Sequence, residues 1–245
     1  MRRLSWGAHT FRRGGVTLTQ AEKDYFQNLI LFAIYRTHGN ALVFKGGTAL
    51  AKCYGSRRFS EDLDFTAISE FKVERIKKML QRFALEFETE EKEFERSIKI
   101  GFRIKGPLYT GSLRSLCRVI MDVGLREEVL LRPIVKTLGR FMEEIPEFDV
   151  YVMDEREILA EKIRAVVSRN RARDAYDAWF LLKKGIKVDK KLVERKLAYY
   201  GLKWNRKEFK KMLENKKEIW ESEILPLVRE LPKFEEVFKF TLEKV

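Results

Sequence analysis

The sequence predicts an α+β protein, with a mixed first lobe over residues 1–150 and an all-helical second lobe over residues 151–245. Three observations predict it. Helix and strand patterns alternate through the first half of the chain. A strict period of two appears where Ile98, Ile100, Phe102 and Ile104 alternate with Lys99, Gly101, Arg103 and Lys105. From Asp154 onward the signals are helical, and the composition shifts near residue 150.

The elements follow in order. Thr17 to Glu22 reads as a helix start, with Thr19 as cap and Glu22 three residues on, and the helix stops at Gly39-Asn40. Residues 41–44 form a short apolar strand, residues 45–48 a turn, and residues 49–54 a short helix. A polar loop over 56–61 leads to a strand over 62–66, then a long amphipathic helix over 70–88. The alternating strand and a partner over 113–123, separated by the turn from Gly106-Pro107 to Gly111, pair as an antiparallel ribbon. Asp154 caps a helix through Ser168, a second helix runs from about Arg173 to Lys184, and two or three basic amphipathic helices complete the chain.

Composition narrows the chemistry. Of 245 residues, 45% are hydrophobic, which excludes wholesale disorder. Fifty basic against thirty-seven acidic residues give a net charge of +13, which suits a polyanion, RNA or DNA ahead of a membrane surface, or else a charge-rich thermophile surface. Two cysteines, Cys53 and Cys117, exclude a disulfide framework, and two histidines, His9 and His38, leave little for imidazole chemistry. Catalysis must rest on carboxylates, Lys and Arg. No apolar run reaches the ~20 residues of a membrane span, and Arg2 and Arg3 precede no signal-peptide core, so a soluble, cytoplasmic protein is expected.

Four groups of residues can carry that chemistry. Gly46-Gly47-Thr48 lies between a strand and a helix, where glycines admit a ligand to backbone amides and the helix start favours phosphate; it can also be a plain turn. Asp62 and Asp64, at i and i+2 on a strand, share one face while Leu63 and Phe65 share the other. Such a pair holds a cation such as Mg²⁺, or faces solvent on an edge strand. Asp122 stands among Val119, Ile120, Met121 and Val123 as a third metal carboxylate, a base, or a surface partner of Arg118. On the helix after Asp154, Lys162 falls within the apolar stripe between Ile158 and Val166, with Arg169 on the same face; on the next, Asp174 falls between Ala178 and Leu181, with Asp177 at the margin. A buried contact of Lys162 with Asp174 or Asp177 aims the ammonium at a phosphate, whereas the alternatives are a snorkelling lysine and a capping aspartate. Residues 185–220 add twelve Lys/Arg against five Asp/Glu, either a groove for phosphates or a solvated face.

Together, Lys45-Gly-Gly-Thr-Ala-Leu50, Tyr54, Arg58-Phe-Ser-Glu-Asp-Leu-Asp-Phe65, Leu159-Ala-Glu-Lys-Ile-Arg-Ala165, Arg169 and Arg173-Asp-Ala-Tyr-Asp177 resemble the nucleotidyltransferase toxins of the AbiEii/AbiGii type. The resemblance covers about residues 40 to 185, and Trp179-Phe180 departs from the family's more usual Leu-Tyr as a packing variation. It implies a polymerase-β-like nucleotidyltransferase head with a mixed or antiparallel sheet, and a helical lobe that completes the nucleotide site. It implies Mg²⁺-dependent transfer of a nucleotide from an NTP to an acceptor hydroxyl, the 3′ end of tRNA in some members. It further implies a toxin of a type IV toxin–antitoxin or abortive-infection system with a winged-helix antitoxin. Carried over by position, Lys45, Gly46, Gly47, Thr48, Arg58, Ser60 and Arg169 bind nucleotide, Asp62 and Asp64 bind metal, and Lys162, Asp174 and Asp177 complete the site, with Asp122 a looser match. Protein-directed nucleotidylation and a catalytically inactive nucleic-acid-binding module are the alternative functions.

Overall fold

A computed structural model describes residues 17–140, 142–143 and 145–245; Arg2, Arg3 and His9 lie outside the described residues. The chain divides into two units. The first holds the chain up to Cys53, Glu61–Val129 and Pro133–Val152, and the second holds Tyr54–Ser60, Leu130–Arg132 and Met153–Val245. Residues 54–60 and 130–132 therefore pack in the second unit, although their sequence neighbours belong to the first.

The first unit opens with α1 (Leu18–His38). Its cap is Thr17, not Thr19. The Thr17 hydroxyl accepts from the Gln20 amide while the Gln20 side chain accepts from the Thr17 amide. Because the chain is already helical at Leu18, Thr19 falls inside the first turn and Glu22 is free to turn inward, where it accepts the Leu108 amide at 2.8 Å. The helix ends where Gly39 takes φ +54°.

Strand β1 (Leu42–Lys45) is followed by α2 (Gly46–Tyr54), β2 (Leu63–Ala67), α3 (Val73–Gln81), β3 (Phe87–Phe94), β4 (Ser97–Ile104), β5 (Cys117–Gly124), β6 (Ile134–Leu138) and β7 (Phe148–Val152). The seven strands form one mixed sheet in the order β3-β4-β5-β2-β1-β7-β6. β4 and β5 pair antiparallel over their whole length, as the alternation predicts, while β2 runs parallel to β5 and antiparallel to β1. One sheet face is apolar, with Phe44, Leu63, Phe65, Ile100, Phe102, Met121 and Val123 all fully buried. Glu22 of α1 hydrogen-bonds Cys117 of β5, so α1 lies on that face.

The long helix expected over 70–88 stops at Gln81, and 87–94 is instead the edge strand β3. Its run of charges hides the period of two. Those charges are answered across the ladder, by Arg103 to Glu90 at 2.8 Å, and by Lys77 of α3 to Glu91 at 2.5 Å. A charged edge also discourages pairing with other chains. Strands β6 and β7 had no counterpart in the sequence reading.

The second unit is helical: α4 (Glu155–Ser168), α5 (Ala172–Lys183), α6 (Lys190–Ala198), α7 (Arg206–Glu214), α8 (Lys217–Ile224) and α9 (Phe234–Lys244). Asp154 caps α4 as predicted, accepting from the Arg156 amide at 2.9 Å. Four helices follow α5 where two or three were expected. The extra break falls at Asn215-Lys216, where Lys216 turns inward and donates to the Arg169 carbonyl at 2.8 Å. Lys196 of α6 is fully buried between Glu157 at 2.8 Å and Glu161 at 3.0 Å. The Glu157 carboxylate also accepts the Leu130 and Leu131 amides, at 2.9 and 2.8 Å, which anchors that segment in this unit.

Lys196→Met strips the counter-charge from these buried carboxylates. We expect it to lower the unfolding free energy by about 3–5 kcal/mol. Urea denaturation followed by circular dichroism measures this, and a change under about 1 kcal/mol would show the triad to be dispensable.

Candidate active site

In the first unit, the turn expected over 45–48 is the first turn of α2, which follows β1 directly. Gly46 makes this possible. Its φ is +74°, and a Cβ there would stand 2.2 Å from the Asp64 Oδ2. Only glycine thus allows the Asp64 carboxylate to rest against the start of the helix. The first-turn amides have no carbonyl partner within the helix, and they and the positive dipole end favour negative charge there. Gly47 and Thr48 are buried in the same turn. The Thr48 hydroxyl donates to the Asp62 carbonyl at 2.5 Å. Its proton is thereby spent on holding the chain before β2 against α2.

Asp62 lies just before β2 and Asp64 within it; both are half-buried, while Leu63 and Phe65 are buried on the other face. The register across four strands puts Lys45, Asp64, Asp122 and Lys99 in one row on the polar face of the sheet. Two carboxylates on adjacent strands are thus flanked by a lysine on each side, which offsets their mutual repulsion. Asp122 pairs with Lys99 at 3.1 Å, whereas Arg118 lies two rows along, opposite Arg103. Lys99 had not been singled out in the sequence; as one polar residue in an alternating strand it carries no signal until the register is known.

Among the described residues no group of three carboxylate, histidine or cysteine side chains could hold a metal ion. The pair Asp62 and Asp64 nevertheless fits Mg²⁺, which binds through one or two carboxylates and completes its shell with water and substrate phosphates. The Gly46 cradle, which a Cβ would fill, keeps one of those carboxylates at the helix start. Cys53 and Cys117 are free thiols that burial pushes up to about 12, so neither is a nucleophile at neutral pH.

The second unit gathers the other motif residues into a charge lattice. Lys162, nearly buried, contacts Asp174 at 3.1 Å and Asp177 at 2.8 Å, so both aspartates meet it. Arg169 grips Asp174 with two N–H donors at 2.7 and 2.9 Å, and Arg58 grips Asp177 with two at 2.9 Å. Arg58 also donates to the Phe59 carbonyl and is 3% exposed. Its guanidinium pairs with Asp177 in the interior of the second unit. Ser60 is half-buried at the end of the same segment. Asp174 does not cap α5; Glu223 accepts the Ala172 amide instead, at 2.9 Å, and Asp174 is left for the cations. Of this lattice only Arg169 is well exposed, its side chain at 57%.

Three cations surround two carboxylates, and this decides the protonation states. Burial raises the affinity of Asp174 and Asp177 for protons. Lys162 and then Arg169 reverse this at Asp174, and Arg58 and then Lys162 at Asp177, so both sit below the ordinary carboxylate range. Burial would lower Lys162, but Asp177 and Asp174 carry it above its ordinary value. Lys216, buried nearby and missed in the sequence as one of many tail lysines, is lowered by burial. These directions keep both carboxylates and all three cations charged at neutral pH, so the lattice carries a net positive charge.

The sequence over residues 29–240 matches the model of the nucleotidyl transferase AbiEii toxin family of type IV toxin–antitoxin systems. The chain belongs to that family and is a nucleotidyltransferase toxin. The fold is shared with a candidate nucleotidyltransferase from H. pylori, at TM-score 0.59 and 16% identity over 94% of each chain. It is shared with JHP933 from Helicobacter pylori, at TM-score 0.57 and 17% identity over 94% of this chain and 91% of that one. MenT4, a nucleotidyltransferase toxin from Mycobacterium tuberculosis, gives TM-score 0.59 and 20% identity over 93% of this chain and 85% of its own. No curated protein matches the chain in sequence.

Two outcomes follow from the geometry. Gly46→Ala forces Asp64 away and places an L-residue at positive φ. It should cost about 1–2 kcal/mol in stability and about a hundredfold in nucleotidyl transfer, read by thermal melting and a transfer assay. The depressed aspartates contribute stability that is present above the unfolded carboxylate value of about 3.9 and lost as pH falls towards their folded values; the raised Lys162 contributes below about 10.4 and loses it above. Stability should therefore be level between about pH 5 and 9 and fall below about pH 4. In Asp177→Asn the acid limb of a urea-denaturation series should flatten.

Proposed function

We propose that this nucleotidyltransferase moves a nucleotide from an NTP to a hydroxyl of RNA, the 3′ end of tRNA, in a Mg²⁺-dependent reaction. The observation that carries the reading is the contact of Gly46 with Asp64, which sets a carboxylate against the amides of a helix start. The α2 amides bind triphosphate oxygens, and Lys45, in register with Asp64, offsets charge at the same row. Asp62 and Asp64 would hold Mg²⁺, which when bound supplies charge neutralisation on the phosphates. Asp122 takes the proton of the attacking hydroxyl at its carboxylate, and Lys99 keeps that carboxylate oriented. The hydroxyl oxygen bonds to the α-phosphorus as the bond to pyrophosphate breaks. In the second unit, Lys162 and Arg169 are the cations suited to phosphate, with Asp174 and Asp177 fixing their positions.

The family's systems pair toxin with antitoxin, and we take the partner here to be a winged-helix protein encoded nearby. No helix among the described residues is long and apolar enough to cross a membrane. We take the site of action to be the cytoplasm.

Incubation with each α-labelled NTP, Mg²⁺ and total tRNA should label RNA with the unaltered protein and not with Asp62→Ala or Asp64→Ala. Label on RNA that persists in Asp64→Ala would overturn the mechanism, and label on protein alone would overturn the acceptor.

A further inference from the structure

Nucleotidyl transfer to RNA needs a surface that holds the acceptor, and the second unit carries one of unusual charge. Helices α6 and α7 both pack on α4. Leu192, Val193 and Leu197 of α6 and Phe209 and Leu213 of α7 are buried. Their outward faces are basic. From Lys187 to Lys211 ten basic residues stand against three acidic ones, a net +7 and more than half of the surplus of the whole chain.

The partners of these charges distinguish a binding surface from a merely charge-rich one. Lys196 is buried and answered by Glu157 and Glu161. Lys187, Lys190, Lys191, Lys203, Lys207, Lys210 and Lys211 are exposed and have no carboxylate partner among the described residues. Asp189, the nearest acidic residue in sequence to the first three, is occupied in capping α6 through the Lys191 and Leu192 amides. On the polar sheet face of the first unit, by contrast, Lys92, Lys99 and Arg103 each meet a carboxylate. A surface tuned for heat stability would carry such pairs. Within α7, moreover, Arg206 and Lys210, and Lys207 and Lys211, are like charges at i, i+4, a spacing that destabilises a free helix and is relieved by a polyanion.

We propose that the outward faces of α6 and α7, with Lys203 between them, bind the phosphodiester backbone of the acceptor RNA; the inference rests on the transfer reading above. The contact does not read bases. Trp204 packs against the fully buried Phe209 with its ring tilted by 45°, and Tyr199 and Tyr200 lie under Lys196 and Arg164, so the aromatic residues of this stretch are engaged in the fold. Binding is therefore sequence-tolerant and strongly dependent on salt.

The test is fluorescence anisotropy of end-labelled tRNA with the full chain at about 50 to 200 mM salt, comparing the unaltered protein with Lys207→Gln/Lys211→Gln and Lys203→Gln/Lys210→Gln. Each double variant should bind about tenfold more weakly, with a slope of log affinity against log salt shallower by about 0.7 for each phosphate contact removed. Lys92→Gln/Lys105→Gln, in β3 and just past the end of β4, should change neither quantity. Binding of labelled NTP, measured separately by equilibrium dialysis, should be the same in all variants. Unchanged affinity and slope in both α7-region variants, while the unaltered protein binds tRNA and transfers label to it, would overturn the surface and leave the transfer reading standing. Failure of the unaltered protein to bind tRNA at 50 mM salt, or preference of the surface for anionic-lipid vesicles over tRNA, would also overturn it.

Discussion

The absence of one side chain, at Gly46, governs the geometry of the first unit's site. A Cβ there would stand 2.2 Å from the Asp64 carboxylate, so the strand that carries Asp64 can approach the start of α2 only because residue 46 has none. That approach brings a helix start, with its unpaired amides, to a carboxylate on β2. Thr48 reinforces it from the other side by holding the Asp62 carbonyl, so both ends of the Asp-Leu-Asp segment are tied to the same helical turn. Each contact is local in space, yet it joins residues 14 to 18 positions apart in sequence. The short β1–α2–β2 connection is what makes that economical.

The two units manage charge in opposite ways. On the polar face of the sheet, carboxylates and lysines alternate by register in an open row, where water screens them and a ligand can exchange with them. In the helical unit the motif charges other than Arg169 are interior. Arg58, Asp174 and Asp177 are almost wholly buried, and each carboxylate is gripped by two cations. Such a lattice contributes little net stability, but removing any member leaves its partner stranded in a low-dielectric setting. Its value lies in rigidity: Lys162 is held in place by two carboxylates that are themselves fixed.

Much of this was legible in the sequence where a pattern had only one physical solution. The alternation at 98–104 allowed a half-buried strand and little else, and the structure pairs it with β5 as expected. Lys162 and Asp174 stood out because charges inside an apolar stripe demand partners, and they are each other's. Where two patterns competed, the reading failed. The charged run Phe87–Phe94 carries no apolar period, so only its ladder with β4 reveals a strand. Thr17 and Thr19 offer the same cap chemistry, and the choice between them rests on where the backbone turns. Arg58 sits beside Asp62 and Asp64 in sequence, yet its carboxylate partner, Asp177, is 119 residues away and nothing local announces it. Lys99 and Lys216 gain meaning only from neighbours that the fold supplies.

We propose that Asp64, seated against the Gly46 turn, couples metal to nucleotide. Calorimetric titration of a non-hydrolysable NTP in the presence and absence of Mg²⁺ addresses it without any acceptor. Mg²⁺ should tighten nucleotide binding by tenfold or more in the unaltered protein, about 1.4 kcal/mol, and Asp64→Asn should abolish that gain while leaving metal-free binding nearly unchanged. An equal gain in Asp64→Asn would contradict the account.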